Sequence, residues 1–307
     1  MPALYAHYRF GAACLEALPE DLAALCRRHR DLYDLGVHGP DIFFYYKPLQ
    51  KNDVSAFGLA LHFQKSRAFF ARGAAHIRTL PEGDERDAAL AYLMGFLAHF
   101  TLDRCCHGFI NAQTAAGPDS HNLIESRLEA CLMKMDHLAP EKVDRARYLN
   151  PSPAAARVIA GFFDFPEDTV LTAINGQRRV MKLLYSPTGF KKMVLRQLIK
   201  VLHIGGGFGD LFIDPVTEAW MAGVAGHRAA GVAGLRIAGV AGHRNTVADP
   251  DMETVTAGTD SAAITATILN DMAQAAALWP EVSRALLQTI ADNEPLPEAF
   301  DHDFEGQ

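Results

Sequence analysis

The chain has 307 residues, 49% of them apolar and 21% charged, which is room for one large or two ordinary globular domains with a substantial core. A formal charge of −7 excludes an extended nucleic-acid footprint, and it excludes docking of the whole protein on anionic lipid by net charge alone. Five cysteines (Cys14, Cys26, Cys105, Cys106, Cys131), an odd number without framework spacing, point to a reducing compartment.

The N-terminal stretch lacks a basic start followed by an apolar run, so no signal peptide is expected. No apolar run reaches the roughly 18 residues of a membrane helix, and the expectation is a cytoplasmic protein without integral membrane association.

In chain order, Tyr5 to Leu18 reads as a helix, and a second starts at Pro19 and runs to about Tyr33. Gly36-Val-His-Gly-Pro-Asp-Ile reads as a turn. One helix is expected from Asp53, as its own cap, to about Leu80, and Pro81-Glu-Gly-Asp ends it. The next spans Asp87 to Ala112, and a loop capped by Asp119 or Ser120 leads into another from His121 to Met135.

Further helices are expected over 153–163, 167–184, 189–203 and 259–292, and no alternating run makes a strand. Gly205-Gly-Gly-Phe-Gly lacks the Lys-Ser/Thr of a phosphate loop and reads as a turn. Ala222-Gly-Val-Ala-Gly-His-Arg repeats twice more with a period of eight, up to Arg244, and reads as a flexible or weakly helical surface insertion. The acidic tail from Glu294 to Gln307 reads as frayed. The expected fold is all-α, a single multi-helical domain over 1–307, with the chemistry in residues 1–140 and a helical second half, 141–307.

The chemistry concentrates between Ala98 and Glu125. His99, Asp103 and His107 are four residues apart and line one face of a helix; His121 and Glu125 repeat the step on the next. In a chain with 13 His and 36 acidic residues, the string His-x3-acid-x3-His should arise by chance only about 0.06 times. Its neighbours are almost wholly apolar, and burying three ionisable groups there is costly without compensation. A divalent cation supplies it, so metal ligation is preferred to a purely structural network. Taken singly, His62 reads as a core histidine, Asp41 as a cap and His7 as a surface residue; His38 adjoins Asp41 as a neighbour or substrate donor.

The ordered set of His7, Gly36-x-x-Gly-Pro-Asp-Ile, His62-Phe, Gly95-x3-His-x3-Asp, His107 and His121-x3-Glu resembles the zinc-dependent phospholipase C family and the related zinc-dependent single-strand nucleases. The resemblance covers residues 5–135 and implies the all-helical fold of the phospholipase C and zinc nuclease type. It implies two or three Zn²⁺: Asp41, His62, His99 and Asp103 at one, His107, His121 and Glu125 at a second, and His7 with a bridging Asp103 at a third. The interval from Asp103 to the next histidine is shorter than in that family. Cys105 and Cys106 stand inside it, as core thiols or as a ligand.

The implied activity is metal-dependent phosphoester hydrolysis by an activated water, with Asp41 as general base and a phospholipid head group among the candidate substrates. The alternatives are a nuclease or nucleotide phosphatase, for which Phe43, Phe44, Tyr45 and Tyr46 would stack bases, and a non-catalytic helical protein with a structural or decayed site.

Overall fold

The computed structural model describes residues 3–187, 189–201, 208–213, 218–228 and 259–307. Every regular element among them is helical. The order is α1 (Leu4–Glu16), α2 (Glu20–Arg28), α3 (Arg30–Gly36), a 3-10 helix (Gly39–Tyr45), α4 (Asp53–His62), α5 (Ser66–Thr79), α6 (Asp84–Ala116) and α7 (His121–Met135). Then come α8 (Pro153–Ala160), α9 (Glu167–Leu184), α10 (Phe190–Val201), α11 (Glu218–Arg228) and α12 (Thr259–Asp292).

The axis of the fold is α6. Asp84, Glu85 and Asp87 in its first turn complement the helix dipole, and Gly117 follows its last residue. From Ala91 to Asp103 it is buried all round, so it must be enclosed on every side. α1, α2, α3, α7, α8 and α12 pack around it. The closest approach is to α3, where a Cβ on Gly95 would stand 2.1 Å from the Tyr33 carbonyl oxygen and one on Gly36 2.2 Å from that of Tyr92. Backbone meets backbone there, so nothing can give way. Gly95→Ala is expected to cost about 3 kcal/mol, the upper end for overpacking, read as a lowered urea midpoint at unchanged slope.

The helix expected over Asp53 to Leu80 is two helices, and its cap is Asn52, whose side-chain oxygen accepts from the Ser55 N–H at 2.8 Å. Residues 63–65 contain neither Gly nor Pro, so the cause of the break is not local. The C-terminal segment takes up the released groups: Phe304 N–H donates to the His62 carbonyl at 3.1 Å, and Ser66 N–H to the His302 carbonyl at 3.0 Å. The tail is therefore not frayed. Phe300 and Phe304 are fully buried, Arg67 pairs with Asp301, and Arg104 donates to the Ala299 carbonyl.

The helix expected from Pro19 to Tyr33 also divides, at His29, so that α3 can follow its own axis onto α6. The segment read as a turn after Gly36 forms the 3-10 helix. The first repeat copy, 222–228, lies in α11, whose Trp220 and Val224 are buried against α12. Gly223 permits that contact, since a Cβ there would meet the Ala262 carbonyl oxygen at 2.3 Å. The other two copies, the side chains of His227 and His243, and Gly205 to Gly207 lie outside the described residues.

Candidate metal centre

Asp103 is the hub. On α6, His99 lies one turn before it and His107 one turn after, and all three are buried. His99 Nε2 stands 3.0 Å from Asp103 Oδ2, while His107 Nε2 (3.4 Å) and His7 Nε2 of α1 (3.2 Å) face Oδ1. The His7 and His99 rings stack at 4.3 Å.

Asp41 and His62 close the cluster from the other side. The 3-10 helix carries Asp41 in and the last residue of α4 is His62, whose Nε2 lies 3.1 Å from Asp41 Oδ1. Gly39 is required between them and α6: its φ is +50°, and a Cβ there would lie 2.2 Å from the His99 ring. The Gly-Pro-Asp sequence thus lets the backbone run over an imidazole while turning the carboxylate toward it.

The tautomers are set by oxygens that can only accept. His62 Nδ1 faces the Gly58 carbonyl at 2.7 Å and His99 Nδ1 the Val37 carbonyl at 3.2 Å, so each Nδ1 carries a proton. Both Nε2 atoms then turn to carboxylates. Burial, the largest influence, holds the His99 imidazole below its ordinary pKa and so neutral. Its Nε2 lone pair therefore faces a carboxylate oxygen at 3.0 Å, buried and with no hydrogen-bond partner. Two acceptors in that position repel unless a cation lies between them, which is the arrangement a divalent metal requires.

A second cluster joins α6 to α7. Ser120 caps α7 by accepting from the Leu123 N–H, which places His121 and Glu125 in the first two turns. Glu125 Oε1 lies 3.2 Å from His121 Nε2 and 3.5 Å from His107 Nε2. The ligand atoms of His107, His121 and Glu125 fall within 4.8 Å of one another, as do those of His7, Asp41 and His99, and of His62, His99 and Asp103. The His121 side chain is 24% exposed, so the second cluster opens toward solvent.

Burial pushes the Asp103 carboxyl up, but the imidazoles that converge on it, His107 foremost, outweigh burial and hold it well below the usual range. Burial pushes His107 down; Asp103, Glu125 and Glu305 together raise it well above.

The eight residues expected as ligands all converge, His7 lying in the first cluster beside Asp41 and His99 as well as Asp103. His38 is buried with them and pushed down to about 3 by burial and by its neighbours His7 and His99. Cys105 and Cys106 join none of the ligand groups, and burial raises both thiols.

Phe43 and Tyr45 are core residues, Phe43 packed edge-on against Phe57 and Phe163, which removes two of the four aromatic residues expected to stack bases. Sequence reasoning missed Asn111 and Glu305, which contact His121 and His107. The only hint was the pair of phenylalanines, Phe300 and Phe304, in an otherwise polar tail, and these anchor it.

Residues 6–163, just over half of the chain, match the family described as zinc dependent phospholipase C. No curated protein and no solved structure matches the chain.

Proposed function

The chain belongs to the zinc-dependent phospholipase C family, and on that premise we propose that it hydrolyses the phosphodiester of a phospholipid head group. The observation that carries the reading is the buried His99 Nε2, without a hydrogen-bond partner and 3.0 Å from Asp103 Oδ2, in a cluster that opens, through His107, onto a second one at His121. Asp41, His62, His99 and Asp103 would hold one zinc and His107, His121 and Glu125 another, with His7 placed for a third. Imidazole and carboxylate oxygen are the donors zinc takes.

When bound, the zinc lowers the pKa of a coordinated water to about 7 and polarises the phosphoryl oxygens. The chain's own residues supply the rest. Gly58 and Val37 carbonyls fix the rings of His62 and His99, and Asp103 spans the two clusters. Asp41 accepts the attacking water's hydrogen bond, fixes its direction and takes its proton. The partial exposure of His121 leaves the second cluster an approach for substrate, which favours catalysis over a closed structural site.

Helix α10 supports a lipid substrate over a nucleotide. Phe190, Met193, Val194 and Leu198 are exposed on it, and its charged residues (Lys191, Lys192, Arg196, Lys200) are all basic in a chain of net charge −7. The exposed apolar row is what a helix resting on a bilayer surface presents. Its inner side holds the Phe208–Ile213 segment, with Lys192 donating to the Ile213 carbonyl and Arg196 over the Phe212 ring. Asp210 of that segment accepts from Ser120, the cap that precedes His121.

The test is elemental analysis of protein purified without chelator, with head-group release measured from phosphatidylcholine vesicles containing anionic lipid. Two to three zinc per chain are expected, with hydrolysis lost on chelation and restored by zinc. Less than half an equivalent, unchanged in His99→Ala and His121→Ala, sinks the hydrolase reading. Full zinc with hydrolysis only of oligonucleotides would instead favour the nuclease reading.

A further inference from the structure

We propose that the C-terminal segment braces the second cluster: Glu305, placed behind His107 and working through Asn111, fixes which nitrogen His121 presents to a cation. The inference rests on the metal-centre reading above and assigns a positioning role to Glu305, beyond the family match, which ends at residue 163, and to Asn111 within it.

His107 and His121 come from different helices, so helix geometry alone does not align their rings. Their outer nitrogens meet one small network. His107 Nδ1 lies 3.4 Å from Glu305 Oε1, His121 Nδ1 lies 2.9 Å from Asn111 Oδ1, and Asn111 Nδ2 donates to Glu305 Oε2. The direction of each contact follows from chemistry. An ionised carboxylate only accepts, so Asn111 must turn its NH₂ to Glu305 and its carbonyl to His121. His121 Nδ1 is then obliged to carry the proton, and its Nε2 lone pair faces Glu125 at 3.2 Å. One carboxylate thus sets the tautomer of a histidine it does not touch.

The segment is built to deliver Glu305 to this place. Phe300 and Phe304 are fully buried, and the Phe304 N–H is held by the His62 carbonyl. Asp303 Oδ1 accepts from the Glu305 N–H at 3.0 Å. Gly306, at φ +81°, passes so close to α6 that a Cβ would lie 2.5 Å from the Arg104 carbonyl oxygen. Outer partners of this kind tune metal affinity by about 10–100-fold.

Glu305→Gln keeps the shape but offers Asn111 an amide that donates as well as accepts, so the network loses its direction. Zinc titration against a competing chelator should show the weaker of the two affinities falling by about 10-fold or more in Glu305→Gln and in Asn111→Ala. The double variant should lose little beyond the singles, because both act through one network. Asp301→Asn, which removes only the surface pair with Arg67, should leave both affinities unchanged. Thermal unfolding of zinc-free Glu305→Gln near that of the parent shows that the fold is intact.

Imidazole ¹⁵N shifts in zinc-free protein read the brace directly, and His121 should change from the Nδ1–H form to a mixture in Glu305→Gln. Unchanged affinities and an unchanged His121 tautomer overturn the inference and leave the centre standing. A parent chain that takes up no zinc overturns the reading of the centre, and the His121 tautomer then decides the brace by itself.

Discussion

Replacing Asp103 by Asn is expected to empty both clusters and to lower phosphodiester hydrolysis by about 10³-fold, the equivalent of about 4 kcal/mol of transition-state stabilisation. The side chain keeps its shape but loses its charge and exchanges one acceptor oxygen for an NH₂ donor. Three imidazoles converge on that charge, from α1 and from both neighbouring turns of α6, and one of them, His107, carries it on to the second cluster. His107 is affected most directly, because Asp103 Oδ1 is the nearer of the two carboxylate oxygens that its Nε2 faces, 3.4 Å against 3.5 Å for Glu125. Elemental analysis should read well under one zinc in Asp103→Asn, while Asp103→Glu, which restores the charge a methylene further out, should retain part of it. Full zinc and near-normal turnover in Asp103→Asn would show that the hub is an ordinary buried ion pair and that the metals, if bound, sit elsewhere.

Phe304→Ala should produce the largest loss of stability of any tail substitution, about 3–5 kcal/mol. The ring is fully buried against Phe96 and Phe100, and it also lies 5.4 Å from His62 and 5.9 Å from His99. It is thus both core and the apolar wall of the first cluster. Its removal opens a cavity that admits water beside the imidazoles, so zinc affinity should fall with stability. Urea unfolding with and without zinc separates the two effects. Leu49→Ala, at a side chain 77% exposed, should stay within about 0.5 kcal/mol of the parent and serves as the control. A similar small effect at Phe304 would mean that the tail is not held against the core in solution.

The two expectations bear on different parts of the sequence, and these were not equally legible. The ladder His99, Asp103, His107 could be read directly because a helix turns a spacing of four into a shared face, and no tertiary contact is needed for that step. The same local logic placed α7, α9 and α12 at their observed limits. It failed at Phe63 to Lys65, where the helix stops because the C-terminal segment, more than two hundred residues away in sequence, takes its hydrogen bonds. It failed again at 294–307. Acidic residues and prolines suggested fraying, and the burial of Phe300 and Phe304 against α6 and α5, together with the contacts of Arg67 and Arg104, holds the segment down.

By itself, then, the sequence determined the helical class, the shared face of His99, Asp103 and His107 and, by the order of its motifs, the zinc-dependent phospholipase C family. The tertiary structure decided the rest. It brought His7, Asp41 and His62 from three separate elements around the His99–Asp103 pair and left His121 partly exposed. It also laid Glu305 behind His107 and made Phe43 and Tyr45 core residues. The physical reason is one of range. Periodicity and capping act within a few turns of chain, whereas which lone pair meets which carboxylate depends on how distant helices pack and on which backbone carbonyls claim the opposite nitrogen.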